Sequence, residues 1–193
     1  MKKKNVLRFL VLALTVLGLT ISAVACQLLF LQYYSNGFIL VLIAMLIDEL
    51  DGYLARLLGV ASSLGAWLDT VADVLTFLVF PITYWYQKIH PAPLILLLLF
   101  TAGGFRLFRH AARGYQTTGD GLAFIGVPCT SIHALLGLSL VIPMSSTVFE
   151  ILVILLSIAM VSTVRIPKPP LQYSLPFLIL YLAIVVHRIS VGF

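Results

Sequence analysis

"DELDGYLARLLGVASSLGAWLDTVAD", residues 48–73, holds five of the seven acidic residues of a 193-residue chain that is 61% hydrophobic and only 10% charged. Apolar runs of about 20 residues, the length needed to cross a bilayer, tile the rest of the sequence. A charged side chain inside a membrane helix costs several kcal/mol unless it is paired, hydrated or bound to a cation. Within this stretch only Arg56 is available to pair. The fold class is therefore an all-α polytopic bundle, and the acids are its first candidate site.

Working outward, polar breaks delimit seven expected helices near 6–31, 37–58, 63–87, 92–114, 124–143, 147–164 and 172–190. Turn chemistry marks the breaks: "YYSNG", "GVASS", "KIHPAP" and "IPMSS". Ser62 or Ser63 is suited to cap the third helix. The connections are too short for a second folded unit, so residues 1–193 read as one membrane domain. The start, "MKKKNVLRFLVLALTVLGLTISAVAC", has the outline of a lipoprotein signal, but its apolar run continues past Cys26 beyond an ordinary h-region. It reads as a first membrane helix.

With the N-terminus inside, Lys2, Lys3, Lys4, Arg8, Arg56, Arg106, Arg109, Arg113, Arg165 and Lys168 are cytoplasmic and only Lys88 and Arg188 lie outside. That asymmetry puts the acidic cluster on the cytoplasmic side of the cell membrane. The basic residues sit singly at helix ends, which accounts for the net charge of +5 without a nucleic-acid partner. Cys26 and Cys129 lie inside apolar runs and suggest neither a disulfide framework nor a thiolate metal site. His90, His133 and His187 are isolated and read as structural residues. Asp120 and Glu150 fall at loops or helix starts, where acids are favourable. Tyr33, Tyr34, Trp85 and Tyr86 fit an interfacial aromatic belt.

Asp48 and Asp51 are three apart, and Asp69 and Asp73 four apart, so each pair projects from one helix face. Glu49 points elsewhere. Four carboxylates converging between two neighbouring helices call for divalent cations, and all-oxygen ligands favour Mg²⁺ or Mn²⁺ over zinc. Gly52, Ala55 and Gly65 strip the same faces of bulk, which suits either a ligand approaching the backbone or close helix packing. Arg56 adds a bidentate donor suited to phosphate.

These residues carry a resemblance. The stretch is similar to the signature of the CDP-alcohol phosphotransferase family, D-x2-D-G-x2-A-R-x8-G-x3-D-x3-D, with Asp48, Asp51, Gly52, Ala55, Arg56, Gly65, Asp69 and Asp73 at its eight fixed positions. The resemblance implies an integral-membrane enzyme with six core helices plus one or two C-terminal helices, a pair of divalent metals and a CDP-linked lipid as donor. Asp48, Asp51, Asp69 and Asp73 would hold the metals, Asp73 would also be the general base, and Gly52, Ala55, Arg56 and Gly65 would accommodate CDP.

Farther along, "DVLTFLVFP", "GFRLFRHA", "FIGVP" and "AMVSTVRIPKPP" resemble segments of the branch of this family whose acceptor is serine, with Leu78 in place of a glycine and His110 and Ala111 departing from the usual R-[FY]-N ending. This implies CDP-diacylglycerol, or an archaeal analogue, and L-serine as substrates and CMP as a product. Serine brings a carboxylate, and Arg106 and Arg109, three apart at the end of the fourth helix, are the proposed cationic partners. Their alternative role is as positive-inside anchors. Glycerol 3-phosphate or an inositol phosphate remains open as acceptor. A divalent-cation transporter is the remote alternative, and it leaves Gly52, Ala55, Arg56 and Gly65 without a purpose. By analogy with other membrane enzymes bearing small-residue helix faces, a homodimer is compatible with the sequence.

Overall fold

The computed structural model describes residues 2–113, 116–118, 121–167 and 171–192. Asp120 and Lys168 lie outside these. Seven helical rods run where the apolar runs predict them: α1 (Lys2–Phe30), α2 (Tyr34–Leu57), a continuous rod made of α3 (Ser63–Asp73), a π-helical insert (Val74–Val79) and α4 (Phe80–Lys88), then α5 (Pro93–Arg113), α6 (Thr130–Val141), α7 (Ser146–Val161) and α8 (Leu171–Val191). Three of them, Lys4–Phe30, Ser63–Lys88 and Pro93–Ala112, are individually long and apolar enough to cross a membrane. α2 carries Asp48, Glu49, Asp51 and Arg56 in its second half, so its charge masks its span.

The chain divides into two compact units, Met1–Thr76 and Phe77–Phe193. In the first, α1 and α2 form a closely packed antiparallel pair. The turn between them is a Schellman motif, with Gln32 in the left-handed region (φ 66°), the Gln32 N–H donating to Leu29 O (2.9 Å) and the Tyr33 N–H to Leu28 O (2.9 Å). Small residues let the pair approach: a Cβ on Gly37 would stand 3.2 Å from the Ala25 carbonyl, and one on Gly18 3.1 Å from Ile47. α2 ends in a second Schellman motif at Gly59 (φ 59°), where the Val60 N–H reaches Ala55 O (3.0 Å). Ser62 then caps α3, its Oγ accepting from the Gly65 N–H at 3.1 Å.

α2 and α3 make few contacts with each other; both lean on α1. The space between them is a wedge with α1 as its floor.

In the second unit, Trp85 and Phe149 pack as a tilted pair with ring centroids 4.9 Å apart, and the Trp85 indole N–H donates to Ser139 Oγ (3.0 Å). Trp85 is fully buried, which removes it from the expected aromatic belt, whereas Tyr33 and Tyr86 are exposed. His133 bonds the Tyr181 hydroxyl through Nδ1 (2.9 Å), the structural role expected of it. Glu150 caps the start of α5 by accepting from the Ala92 N–H (2.8 Å).

The departure from an all-helical chain is a small antiparallel sheet, β1 (Gln116–Thr118), β2 (Gly121–Ile125) and β3 (Arg165–Pro167), with Phe124 opposite Ile166. The expected helix from residue 124 starts only at Thr130. Gly126 (φ 71°) and Pro128 break the chain there. A short apolar run such as "LAFI" does not distinguish strand from helix by periodicity.

Candidate metal and substrate centre

Asp48, Asp51 and Asp69 each present a carboxylate oxygen, and the three atoms lie within 4.8 Å of one another in the wedge. Their placement follows from the two turns. The Schellman turn at Gly59 and the Ser62 cap reverse the chain between the two acidic pairs, so the acids of α2 and α3 meet. Asp73 is brought to the same place, near enough to Asp48 for the two charges to interact, but outside the closest triad. Asp51 is buried, Asp48 and Asp69 are half-buried, and Glu49 is exposed on another face.

A donor set of carboxylates alone, partly desolvated and carrying excess negative charge, fits a hard divalent cation. Asp51 shares the last turns of α2 with Gly52 and Arg56. Arg56 lies over the bare backbone of Gly52, where a Cβ would stand 3.3 Å from Nη1. Gly65 sits in the first turn of α3, its N–H committed to Ser62.

The motif match extends to the rest of the chain. A family model described as CDP-alcohol phosphatidyltransferase matches residues 9–191. The chain belongs to this family. A CDP-diacylglycerol–serine O-phosphatidyltransferase of Methanocaldococcus jannaschii is 33% identical over 137 residues, 70% of this chain and 65% of the relative. A protein of the same description from Helicobacter pylori is 31% identical over 159 residues, 74% of this chain and again 65% of the relative. The chain thus spans just under two thirds of the length of the relatives it matches. Family membership makes a divalent cation the natural occupant of the acidic triad.

The two arginines of α5 differ. The Arg109 guanidinium donates from Nη1 to the carbonyls of Val161 (3.0 Å) and Ser162 (3.1 Å), and from Nη2 to those of Ile125 (2.6 Å) and Met160 (2.8 Å). It fastens α5 to the end of α7 and to the end of β2, and Gly126 is the residue beside it that tolerates no Cβ. Arg106 is also buried, at 4% exposure, yet its Nε has no hydrogen-bond partner among the described residues. Its guanidinium carbon sits 5.3 Å from the centroid of the Phe124 ring.

Leu78, where the related pattern has glycine, is fully buried against Gly103, whose missing Cβ gives the leucine its space. The sequence reading passed over α1, although Thr15 and Ser22 are both buried there. The signal available was two hydroxyls seven residues apart, on one face of an apolar helix.

Proposed function

We propose that the protein transfers a phosphatidyl group from CDP-diacylglycerol, or an archaeal analogue, to the hydroxyl of L-serine, releasing CMP and forming phosphatidylserine. The observation that carries this reading is the convergence of Asp48, Asp51 and Asp69 within 4.8 Å, on the signature of a family whose related members act on serine.

Asp48, Asp51, Asp69 and Asp73 would hold two divalent ions, Mg²⁺ or Mn²⁺. When bound, such ions neutralise charge on a pyrophosphate and on the departing phosphate. The chain's own residues do the rest. Gly52, Ala55 and Gly65 leave backbone for the CDP moiety to approach, and Arg56 turns its fork from Gly52 to a phosphate oxygen. Asp73, at the edge of the triad, accepts the proton of the serine hydroxyl as that oxygen attacks the β-phosphorus. The bond from that phosphorus to the oxygen of CMP breaks, and CMP leaves with the electron pair.

Arg106 is the partner of the serine carboxylate: a buried guanidinium whose Nε–H has no partner among the described residues is a strong donor to an anion. Arg109, expected to share that role, is better read as the strut that holds the end of α5. The family model runs through both compact units, which supports one catalytic domain over residues 1–193. The lysine and arginine pattern supports a cell-membrane protein with its N-terminus and acidic site facing the cytoplasm. A homodimer is part of the proposal on the same analogy as before.

The test is a detergent-solubilised assay with CDP-diacylglycerol and Mn²⁺ or Mg²⁺, offering serine, glycerol 3-phosphate or inositol phosphate separately. Serine-dependent CMP release, abolished by chelation and by Asp73→Asn, is the expected result. Release with a phosphorylated acceptor alone overturns the serine assignment, and no release with any alcohol overturns the enzyme reading.

A further inference from the structure

α6 and α8 lie against each other in the second unit, and Gly137 brings them together: a Cβ there would stand 3.0 Å from the ring of Tyr181, whose hydroxyl bonds His133 (2.9 Å). α6 then ends at Val141, because Pro143 cannot continue a helix and Ile142 before it turns extended. α8 goes on to Val191. Where its last turns pass the end of α6, a cleft of 340 Å³ opens, lined by Leu140, Val141, Ala183, Ile184, His187 and Arg188. Ligand sites commonly measure about 300–1,000 Å³. The cleft is separate from the arginine pair of α5: Arg109 is fastened to Val161 at the far end of α7, whereas α7 begins at Ser146, just after the end of α6.

Four of the lining residues are apolar, and the other two are a guanidinium and an imidazole side by side on α8. The Arg188 Nε is buried without a hydrogen-bond partner among the described residues. A buried donor left unmet is costly, the more so on a charged group. The C-terminal end of α8 favours a cation, but its dipole amounts to roughly half an elementary charge and accepts nothing from that N–H. None of the lining residues is acidic. The polar end of the cleft therefore complements an anion, and its wall complements hydrocarbon. One molecule that offers both, at the ends of helices in a chain of bilayer-length apolar runs, is a phospholipid. Arg188 sets its planar fork against a phosphate, the exposed His187 ring adds an N–H at the rim, and an acyl chain lies along Leu140, Val141 and Ile184. With no carboxylate in the cleft to meet an ammonium or choline group, a headgroup without a cation of its own fits best.

We propose that the cleft between α6 and α8 holds one anionic phospholipid of the surrounding membrane, its phosphate on Arg188 and His187 and its chain against the end of α6.

The experiment titrates the detergent-solubilised full chain with phosphatidylglycerol, with phosphatidylcholine of the same acyl chains and with inorganic phosphate, counting bound molecules by native mass spectrometry. The expected result is one phosphatidylglycerol bound about 10-fold more tightly than phosphatidylcholine, with affinity about 10-fold lower in Arg188→Gln and largely kept in Arg188→Lys. Lys88→Gln removes a charge outside the cleft and should bind as wild type does. Ile184→Trp fills the apolar wall while keeping the arginine, and should also lose the lipid. Equal loss in Lys88→Gln and Arg188→Gln overturns the proposal in favour of diffuse surface charge, and equal affinity for the two lipids overturns it in favour of apolar adhesion alone. Inorganic phosphate bound as tightly as phosphatidylglycerol, or wild-type lipid affinity in Ile184→Trp, overturns the lipid as occupant. Should thermal unfolding in detergent show that Arg188→Gln is misfolded, Arg188→Lys and Ile184→Trp decide the matter without it.

Discussion

The acidic wedge of residues 1–76 and the arginine-bearing end of α5 in residues 77–193 are both buried charge in a bundle of apolar helices, and they handle it in opposite ways. Arg109 is answered by the chain: four carbonyl bonds at 2.6–3.1 Å engage both of its Nη groups. The carboxylates of Asp48, Asp51 and Asp69 crowd within 4.8 Å with like charge beside like charge. Arg106 belongs with the acids in this respect, since its Nε is buried without a partner among the described residues. A buried charge the fold satisfies is part of the scaffold. A buried charge it leaves open is stabilised only by what binds, because the cost of an unmet charge in a low dielectric is several kcal/mol.

The sharpest way to break this division is at the acids. Asp69→Asn removes a charge from a repelling group, so the fold should survive while the cation site loses a ligand. Several kcal/mol of transition-state stabilisation are at stake, and turnover should fall about 10³-fold or more, measured as CMP release at saturating serine. If turnover falls less than tenfold, the triad is not the catalytic centre.

The arginine pair sharpens the comparison next. Arg106→Met should leave thermal stability in detergent unchanged or raised, and should raise the KM for serine about 10–150-fold, the value of one charge-assisted hydrogen bond of roughly 1.5–3 kcal/mol. Arg109→Met should do the reverse. It strips the donor from four carbonyls, each unsatisfied buried group costing about 1–3 kcal/mol, so stability drops while the serine KM of the surviving folded protein stays near wild type. Equal effects at the two positions would erase the distinction drawn from their hydrogen bonds.

A third measurement needs no substrate. A cation that binds only the folded protein stabilises it by mass action, about 2.7 kcal/mol at one hundred times its dissociation constant. Mn²⁺ should therefore raise the unfolding temperature of wild type and Arg106→Met alike, and should do little for Asp69→Asn. A shift of the same size in Asp69→Asn would place the ion elsewhere.

Helix number, the acidic pairs and the Ser62 cap were legible in the sequence because each depends on local spacing: apolar runs of bilayer length, acids three and four apart, a hydroxyl residue at a helix start. What was hidden depends on partners distant in sequence. Ser22 passes for an ordinary helix hydroxyl that bonds the carbonyl one turn back, as it does, to Gly18; its second contact, to Thr76, exists only once the turn after α3 lies against α1. Arg106 and Arg109 looked equivalent at three-residue spacing, and only the carbonyls at the end of α7 separate them. Phe124 and Ile125, the end of β2, fall within the helix expected from residue 124 because the apolar run is too short to carry a period. Trp85 sat near a helix end and was assigned to the membrane interface, whereas Ser139 gives its N–H a partner inside the bundle.

The smallest expected effect lies at the hinge between the two acidic pairs, where satisfied and unsatisfied groups adjoin. Ser62→Ala removes a cap worth about 0.5–2 kcal/mol and leaves the Gly65 N–H open, but Asp69 stands a full turn deeper in α3, so turnover should change only a few-fold and Ser62→Asp should restore it. Gly65→Ala tests the same turn from the other side. A Cβ there would stand 3.1 Å from Ser62 Oγ, a contact a small shift of the serine relieves, so the fold should tolerate it. If the CDP moiety approaches the backbone at Gly65, that methyl group raises the KM for the CDP-lipid more than it lowers stability. If instead Gly65 serves only the cap, the two substitutions behave alike, and the bare face of α3 belongs to the scaffold with Arg109 and not to the open site with the aspartates.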